Sequence, residues 1–339
     1  MEPERSFLIE DGKEAHLYQT DILDEFLGGG RMEEIGSQSE NGWHRKIYKI
    51  TKESRAYILK TISCPLDDES KKELIEEYKI NLRCSELSKG IVKPKKYREE
   101  ENIRIKRFTM EILYDYCGEN LLSLMGKENA KNIMSIMTSV AETMKVLEQN
   151  NISHYDLKPT NMVIQDGVVR IIDFGSSRRF DNIYKLRKTT AAKRFSSLYA
   201  PPEIIRHKKG QPVKVDVFCW GMTLYQLITN KQFEELAENS ELRVESKNYP
   251  KFLEKIKNIV VDDNCLKEKI KKILLNVLSE RHEDRPTFTE LCEELKKPRM
   301  DSEEKTKGKI RSLEKKSDIP SSISQINEET RIVSYIITK

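Results

Sequence analysis

The stretch of sequence that decides the fold reads HYDLKPTN at residues 154–161, and the triplet DFG follows at residues 173–175. Two short apolar runs, NMVIQ and VVRIID, lie between them and flank Asp166-Gly167, a dipeptide that favours a two-residue β-hairpin turn. A single Asp or Asn is most often a turn or cap residue, but this interpretation leaves the whole ordered set unexplained. The order therefore indicates a functional loop next to a hairpin.

The sequence before this stretch differs in character from the sequence after it. Residues 31–61 contain short alternating runs such as IYKI and AYILK between turn-prone stretches, which predicts a three-strand meander. Residues 67–87 have helical spacing, and three strand-like runs follow, IVKPKKY, NIRIKRF and MEILYDY. From a helix over residues 130–150 onward the apolar spacing is mainly helical. Strands first and helices later predict an α+β fold with two unlike lobes.

Composition limits the class of protein. The chain has 339 residues, of which 37% are hydrophobic, enough to exclude disorder of the whole chain. Its net charge of +4 is the small remainder of 60 basic and 56 acidic residues, so it gives no support to nucleic-acid binding. There is no long apolar run or signal peptide, and we expect a soluble, intracellular protein without a membrane partner. We expect it in the cytoplasm, with the nucleus as the alternative.

The cysteines favour reduced, mostly buried thiols. Six are spread widely along the chain, with no C-x-x-C pair and no histidine at ligand spacing. A zinc site and a disulfide framework both fit this spacing poorly.

The motifs quoted first resemble the catalytic core of the eukaryotic protein kinases, whose catalytic loop reads H-R-D-L-x-x-x-N and whose metal-binding motif reads D-F-G. The resemblance implies a two-lobed fold, with a small antiparallel-sheet lobe and one helix over residues 31–116 and a mainly helical lobe over 117–297. Residues 1–30 are then an N-terminal extension. Residues 298–339 are a tail whose charged composition is typical of disorder.

The resemblance also implies roles for the loop residues. Phosphoryl transfer depends mostly on positioning and on neutralising charge. By resemblance, Asp156 orients the acceptor hydroxyl and accepts its proton, and Lys158 meets the transferred phosphate. Asn161 and Asp173 hold magnesium. The implied cofactors are ATP and Mg²⁺, and the implied partner is a protein substrate.

A second set of residues lies upstream. RAYILK at residues 55–60 resembles the V-A-I-K strand of the family, which places Lys60 against the α- and β-phosphates. Glu77 best matches the ion-pair partner of that lysine, and Glu76 is the alternative. Read without the resemblance, these residues are ordinary solvated surface charges.

The resemblance also identifies the strand that leaves the small lobe, ILYDYC at residues 112–117. Its alignment predicts that the backbone of Asp115 and Cys117 meets adenine, with Tyr114 as the bulky residue behind the nucleotide.

Downstream motifs have implied structural roles. YAPPE at residues 199–203 resembles the A-P-E motif, and the resemblance predicts a buried ion pair between Glu203 and Arg285. Asp216 is expected to hold the backbone of the catalytic loop. His154 is expected to be packed and hydrogen-bonded, and neither a base nor a metal ligand.

The phosphate-covering loop departs from the family pattern G-x-G-x-x-G. This chain reads IGSQSENG at residues 35–42, where only Gly36, with Gly42 as a further candidate, can allow backbone N–H groups close to phosphate. We expect weaker nucleotide binding or a loop that covers less of the nucleotide.

The residue before the catalytic aspartate also departs from the family, because Tyr155 replaces the usual arginine. In family members with that arginine it pairs with a phosphorylated activation segment, so we expect activity here not to depend strongly on such phosphorylation. The segment over residues 173–203 is basic. It is either a solvated charge run, an anchor for a phosphate or an attraction for an acidic substrate.

Three functions stay open from sequence alone. A protein serine/threonine kinase is favoured, since DLKP at residues 156–159 resembles the serine/threonine-directed pattern. A pseudokinase scaffold is suggested by the glycine-poor loop. A small-molecule phosphotransferase would share the H-x-D-x-x-x-x-N loop, but that group typically lacks D-F-G and A-P-E.

Overall fold

The computed structural model describes residues 30–179, 198–206 and 212–297, together with a short strand pair, β1 (Phe7–Leu8) and β2 (Glu14–Ala15). The remainder of the N-terminal extension and the tail over residues 298–339 lie outside the described residues. The extension and the tail therefore stay predictions.

The small lobe is built on an antiparallel sheet of five strands. Its strands are β3 (Arg31–Glu40), β4 (Trp43–Lys52), β5 (Arg55–Pro65), β6 (Pro94–Asn102) and β7 (Arg107–Asp115). Their order across the sheet is β3-β4-β5-β7-β6. The predicted meander over residues 31–61 is therefore confirmed as three consecutive strands.

The predicted strand run NIRIKRF is wrong in its first half. Residues 103–106 form the turn between β6 and β7, where Ile103 and Ile105 are 79% and 66% exposed. The Asn102 side chain accepts a hydrogen bond from the Ile105 backbone N–H (3.3 Å), and Lys106 has a positive φ of 52°. A local Asn-stabilised turn thus imitates the alternation of a strand.

One helix, α1 (Asp68–Leu87), covers the sheet. Asp67 caps it by accepting a hydrogen bond from the Ser70 backbone N–H at 2.8 Å, as short polar side chains do at helix starts. Leu74 and Tyr78 face the sheet and pack into its apolar cluster. This face also carries the buried Glu77 toward the cleft.

The large lobe is mainly helical. Its helices are α2 (Ala130–Gln149), α3 (Pro202–Ile205), α4 (Pro212–Thr229), α5 (Phe233–Val244), α6 (Tyr249–Lys257), α7 (Asn264–Val277) and α8 (Phe288–Lys296). Helix α2 buries an apolar stripe that includes Met137, Val140, Met144 and Leu147. Trp220 of α4 is fully buried and donates its indole N–H to the Met137 carbonyl at 2.9 Å. The two-lobed α+β architecture is confirmed.

Short strands hold the functional loop in place. They are β8 (Glu119–Asn120), β9 (Ile152–Ser153), β10 (Met162–Gln165), β11 (Val168–Ile171) and β12 (Arg178–Arg179). Strands β10 and β11 form the predicted hairpin, with positive φ at Asp166 (51°) and Gly167 (76°) as a type I′ turn requires. Strand β9 pairs with β12, so the segments before HYDLKPTN and after DFG lie side by side.

The cysteine prediction is confirmed. None of the six cysteines forms a disulfide, and four of them are buried. Among the described residues no helix is long and apolar enough to cross a membrane.

Candidate active site

A cleft of about 510 Å³ lies between the sheet and the helical lobe, within the size range of small-molecule sites. Its lining includes six of the predicted site residues: Lys60, Glu77, Asp115, Cys117, Asn161 and Asp173. Asp156 and Lys158 are joined to this lining through side-chain contacts, and Gly36 follows the lining residue Ile35 in strand β3. Segments more than a hundred residues apart in sequence thus meet at one cleft.

The catalytic loop, residues 154–161, presents a connected polar cluster. Asn161 donates its side-chain amide to the Asp156 carbonyl (2.9 Å) and to the Asp156 carboxylate (3.0 Å). The Lys158 ammonium lies 2.7 Å from the same carboxylate. Because the amide nitrogen of Asn161 faces Asp156, its amide oxygen is the atom that can serve a cation.

Burial raises the pKa of Asp156 above its ordinary value, although the Lys158 ammonium opposes the shift. A carboxylate with a raised pKa is a better proton acceptor than an exposed one. The side chain of Asp156 is 12% exposed, so part of it stays accessible to solvent. This cluster can orient a hydroxyl group and accept its proton.

Asp216 holds the backbone of the catalytic loop, as predicted. Its carboxylate accepts hydrogen bonds from the backbone N–H groups of His154 (2.7 Å) and Tyr155 (2.6 Å) and from the Ser153 hydroxyl (2.6 Å). Burial raises the pKa of Asp216, while His154 and these hydrogen bonds oppose the shift. Asp216 is 1% exposed, and its carboxylate has hydrogen-bond partners for both oxygens. This buried network fixes the backbone at the start of the catalytic loop.

Lys60, Glu77 and Asp173 form the second cluster of the site. The Lys60 ammonium lies 3.0 Å from Glu77 Oε1 and 2.8 Å from Asp173 Oδ1. Glu77 is therefore the partner of the lysine, whereas the alternative, Glu76, is exposed on the surface of helix α1. Strand β5 supplies Lys60, helix α1 supplies Glu77, and the DFG segment supplies Asp173.

The electrostatics of this cluster favour the ionised state of every member. Burial alone raises the pKa of Glu77, but Arg45 and Lys60 overcome it and lower the pKa to about 2. Burial likewise opposes ionisation of Asp173, whose pKa Lys60 and Arg45 hold well below its usual range. The pKa of Lys60 is raised, because Asp173 and Glu77 outweigh the effect of burial. Opposite charges at hydrogen-bond distance produce all three shifts.

Sequence reasoning missed Arg45. Its guanidinium donates to both carboxylate oxygens of Glu77, with Nη1–Oε1 at 3.0 Å and Nη2–Oε2 at 2.9 Å. The alternation of strand β4 places Arg45 on the same face as Ile47, which lines the cleft. This spacing is the sequence signal that could have pointed to Arg45. Which residue of α1 that face meets is a tertiary matter.

The glycine-poor segment does not form a separate loop over the cleft. Strands β3 and β4 continue through it to a tight turn at Asn41 (φ 51°) and Gly42 (φ 79°). We call residues 31–52, the hairpin of β3 and β4, the phosphate hairpin. Gly36 lies at the bulge where the β3–β4 register shifts. Its role toward a nucleotide stays a prediction.

Asp115 and Cys117, in the segment that leaves the small lobe, line the cleft where strand β7 ends. Behind them, the Tyr114 hydroxyl donates to the side-chain oxygen of Asn81 on α1 at 3.0 Å. Tyr114 also lines the cleft, as does Asn81. The place of Tyr114 behind a nucleotide stays a prediction.

The predicted Glu203–Arg285 ion pair and the predicted packing of His154 are confirmed. Arg285 and Glu203 form a two-pronged ion pair at 2.7 and 2.8 Å, and the two residues are 1% and 6% exposed. His154 is fully buried, its Nε2 lies 3.1 Å from the Ile172 carbonyl, and its ring meets Phe174 edge to face. Tyr155 is buried at a positive φ of 67°.

The activation segment is described only at its two ends. At the start of the segment, Arg178 lies 3.8 Å from Glu73 on helix α1. The basic residues of the segment from Lys185 to Arg194, with the hydroxyl residues Thr189, Thr190, Ser196 and Ser197, lie outside the described residues.

The fold and the cleft together define a two-lobed protein whose polar cleft lies between a small sheet lobe and a helical lobe. The protein kinase domain family matches residues 32–295, and the chain belongs to this family. The Wee1-like protein kinase of Arabidopsis thaliana is 30% identical over 150 residues, which cover 42% of this chain and 29% of the relative. The serine/threonine-protein kinase KIC1 of Saccharomyces cerevisiae is 23% identical over 248 residues, covering 69% of this chain and 22% of the relative. The matched segments thus span less than a third of these relatives.

Proposed function

We propose that this protein transfers the γ-phosphoryl group of ATP to a serine or threonine hydroxyl of a protein substrate, with magnesium. The observation that carries the proposal is the complete polar set around one cleft: Lys60, Glu77 and Asp173 on one side, Asp156, Lys158 and Asn161 on the other. The choice of serine or threonine rests on the DLKP pattern and on the name of the yeast relative.

The residues fit both cofactors by their chemistry. Asp173 and the amide oxygen of Asn161 are oxygen donors of the kind that Mg²⁺ prefers, and the bound ion would neutralise phosphate charge. The ammonium of Lys60 suits the phosphates of ATP. The backbone of Asp115 and Cys117 suits the hydrogen-bonding edge of adenine.

The protein groups would then act in fixed roles. Asp156, held by Asn161 and Lys158, orients the acceptor hydroxyl and accepts its proton. Lys158 offers its ammonium to the negative charge that develops on the transferred group. Asp216 keeps the loop backbone in place, so that these two side chains need not reorganise during the reaction.

A pseudokinase is the second candidate, and one observation favours it. The tip of the phosphate hairpin is tied to the sheet, since Arg107 donates to the Gly42 carbonyl (2.5 Å) and to the Ser63 carbonyl (2.6 Å). Residues 36–42 do not contribute to the lining of the cleft. A hairpin held in this way would cover a nucleotide poorly.

The test is transfer of labelled γ-phosphate from ATP with magnesium to the protein itself and to a generic Ser/Thr acceptor. The Asp156→Asn variant, run alongside, is the control. Label that disappears in the variant supports the kinase, and we expect a loss of at least about a hundredfold. No label with either folded protein favours the pseudokinase.

We further propose an intracellular location, in the cytoplasm or the nucleus. The six unpaired thiols suit a reducing compartment. Fractionation of cells that express the tagged chain tests this.

A further inference from the structure

We propose that Arg45 is a positioning residue for phosphoryl transfer: it ties Glu77, and with it helix α1, to the phosphate hairpin without depending on Lys60. This inference rests on the proposed function for its catalytic consequence. Its structural part, a direct tie between the hairpin and α1, is testable without any turnover.

The first step is the register of the sheet. Strand β4 pairs with β5 so that Ile47 lies opposite Lys60 and Arg45 lies opposite Ile62. Arg45 and Lys60 are therefore diagonal neighbours on the face of the sheet that carries α1, a separation that long side chains can span. Both cations reach the same carboxylate from adjacent strands.

The second step is the geometry at Glu77. Arg45 occupies both carboxylate oxygens, while Lys60 approaches Oε1 alone. A two-pronged guanidinium–carboxylate pair fixes orientation as well as distance, which a lysine ammonium does not. The side chains of Arg45 and Glu77 are only 16% and 7% exposed, so water screens the pair weakly.

The third step is the division of labour for Lys60. Its ammonium already bonds to Asp173, and in the proposed reaction it also meets the phosphates of ATP. A lysine shared among these partners is a poor sole support for Glu77. Arg45 holds that carboxylate while Lys60 exchanges partners, and this is the reason that the site contains two cations.

The fourth step is the closeness of the DFG backbone. A Cβ built at Gly175 would lie 3.1 Å from Glu77 Oε2 and 3.3 Å from Arg45 Nη1. The Arg45–Glu77 pair therefore packs directly on the glycine that ends the DFG triplet. The pair connects three parts of the site: the phosphate hairpin, helix α1 and the DFG segment.

The chain offers a matched control on the same sheet. Arg98 of strand β6 donates to Glu111 of strand β7 at 2.8 Å, and its side chain is 31% exposed. Arg98→Met removes an arginine–glutamate pair of the same chemistry away from the cleft. It reports the cost of losing such a pair in general.

The first experiment is hydrogen–deuterium exchange without nucleotide on the wild type and on Arg45→Met, Lys60→Met and Arg98→Met. We expect exchange in residues 74–82 of α1 to rise at least about tenfold in Arg45→Met, because the truncation leaves Glu77 held by Lys60 alone. The rise should stay below about threefold in Lys60→Met and be absent in Arg98→Met. An equal or larger rise in Lys60→Met would overturn the inference.

The second experiment separates kcat from KM. Arg45→Met should lower kcat by about ten- to a hundredfold, as displacements of about an ångström do, with the KM for ATP within about threefold of wild type. Arg45→Lys, which keeps the charge, should recover part of kcat, and it also replaces Arg45→Met in the exchange experiment if that variant does not fold. A raised KM with unchanged kcat would make Arg45 a phosphate ligand and overturn the positioning role.

The two experiments separate failure of this inference from failure of the proposed function. A wild type that transfers no phosphate refutes the kinase activity, yet the exchange experiment still decides whether Arg45 ties α1 to the hairpin. An active wild type with unchanged exchange and kcat in Arg45→Met refutes the inference alone.

Discussion

Two sides of the cleft differ. One side, which we call the floor, is the catalytic loop over residues 154–161 together with Asp216, which accepts three hydrogen bonds there. The other side, which we call the roof, is the phosphate hairpin together with helix α1, and here the hairpin departs from the family pattern. The floor keeps each motif residue of the family except the arginine that Tyr155 replaces. The phosphate hairpin has only Gly36 and Gly42 where the family pattern has three glycines, and its strands, with a register shift at Gly36, run to the turn at Gly42.

The comparison shows that this chain keeps the family pattern in the loop that Asp216 holds and departs from it in the phosphate hairpin. In the proposed reaction the loop carries the proton acceptor. Its backbone N–H groups donate to the buried carboxylate of Asp216, so few side chains can replace that residue. In the proposed reaction the positive charge near phosphate on this side comes from the Lys60 side chain and depends less on backbone N–H groups. Arg45 adds a second cation beside Lys60, but its guanidinium binds Glu77.

The largest expected effect comes from replacing Asp216, which holds the floor in place. Asp216→Asn keeps the size of the side chain but presents an amide NH₂ to N–H donors that need an acceptor. We expect the free energy of unfolding to fall by about 3 kcal/mol, since hydrogen bonds to a charged acceptor are lost in a buried site. Phosphoryl transfer should fall by about a hundredfold because the loop moves.

Urea unfolding and the labelled-phosphate assay measure the two effects. Asp262→Asn, at an exposed position, is the control and should leave both unchanged. A variant at Asp216 with wild-type stability and transfer would show that the loop holds itself in place.

The next effect tests Glu77, on the roof, through the pH dependence of the free energy of unfolding. The pKa of Glu77 is lowered from 4.5 to about 2 in the folded protein. Its contribution to stability is therefore present above the unfolded value and is lost as the pH falls through the folded value. By linkage the loss amounts to about 3 kcal/mol over that window.

Unfolding free energies at pH 7, 5, 4 and 3 should show Glu77→Gln less stable than wild type at pH 7, with the gap closing below about pH 4.5. Glu76→Gln, one residue away on the exposed face of α1, serves as the control. A gap that stays constant with pH would mean that Glu77 gains nothing from Arg45 and Lys60.

A smaller effect distinguishes the two glycines of the phosphate hairpin. Gly42 has a φ of +79°, and a Cβ there would lie 3.4 Å from Pro65, so Gly42→Ala should cost about 1 kcal/mol. At Gly36 a Cβ would meet only Ile47 at 3.9 Å, so Gly36→Ala should leave stability unchanged.

Urea midpoints of the two variants decide this comparison. The expected order, Gly42→Ala below Gly36→Ala and wild type, means that the turn needs its glycine for backbone conformation. The opposite order would show that the bulge at Gly36 is the strained point of the hairpin.

The smallest effect concerns phosphorylation of the activation segment. Tyr155 is buried at the position of the arginine in the family pattern H-R-D-L-x-x-x-N. Changing Thr189, Thr190, Ser196 and Ser197 together to alanine should therefore leave turnover within about twofold of wild type. Steady-state kinetics with a circular dichroism check on folding measure it, and a collapse in rate with the fold retained contradicts the expectation.

Local chemistry predicted the hairpin turn and the helices, whereas the family resemblance predicted the structural roles of Glu203, Arg285 and Asp216. The Asp166-Gly167 turn follows from two residues that accept positive φ, and the helix over residues 67–87 follows from apolar spacing. The prediction failed at residues 103–106 because Ile103 and Ile105 alternate like a strand but lie in an Asn-stabilised turn. Periodicity alone does not distinguish these cases.

By itself the sequence determined the family, the two lobes and the identity of the groups at the cleft, because these depend on ordered motifs and on local hydrophobic patterns. Tertiary structure decided that Glu77 and not Glu76 faces Lys60, and that Arg45 shares Glu77 with it. Both outcomes depend on the rotation of α1 against the sheet and on the register of β4 with β5. Contacts between distant segments fix this rotation and this register, and a short stretch of sequence does not specify such contacts.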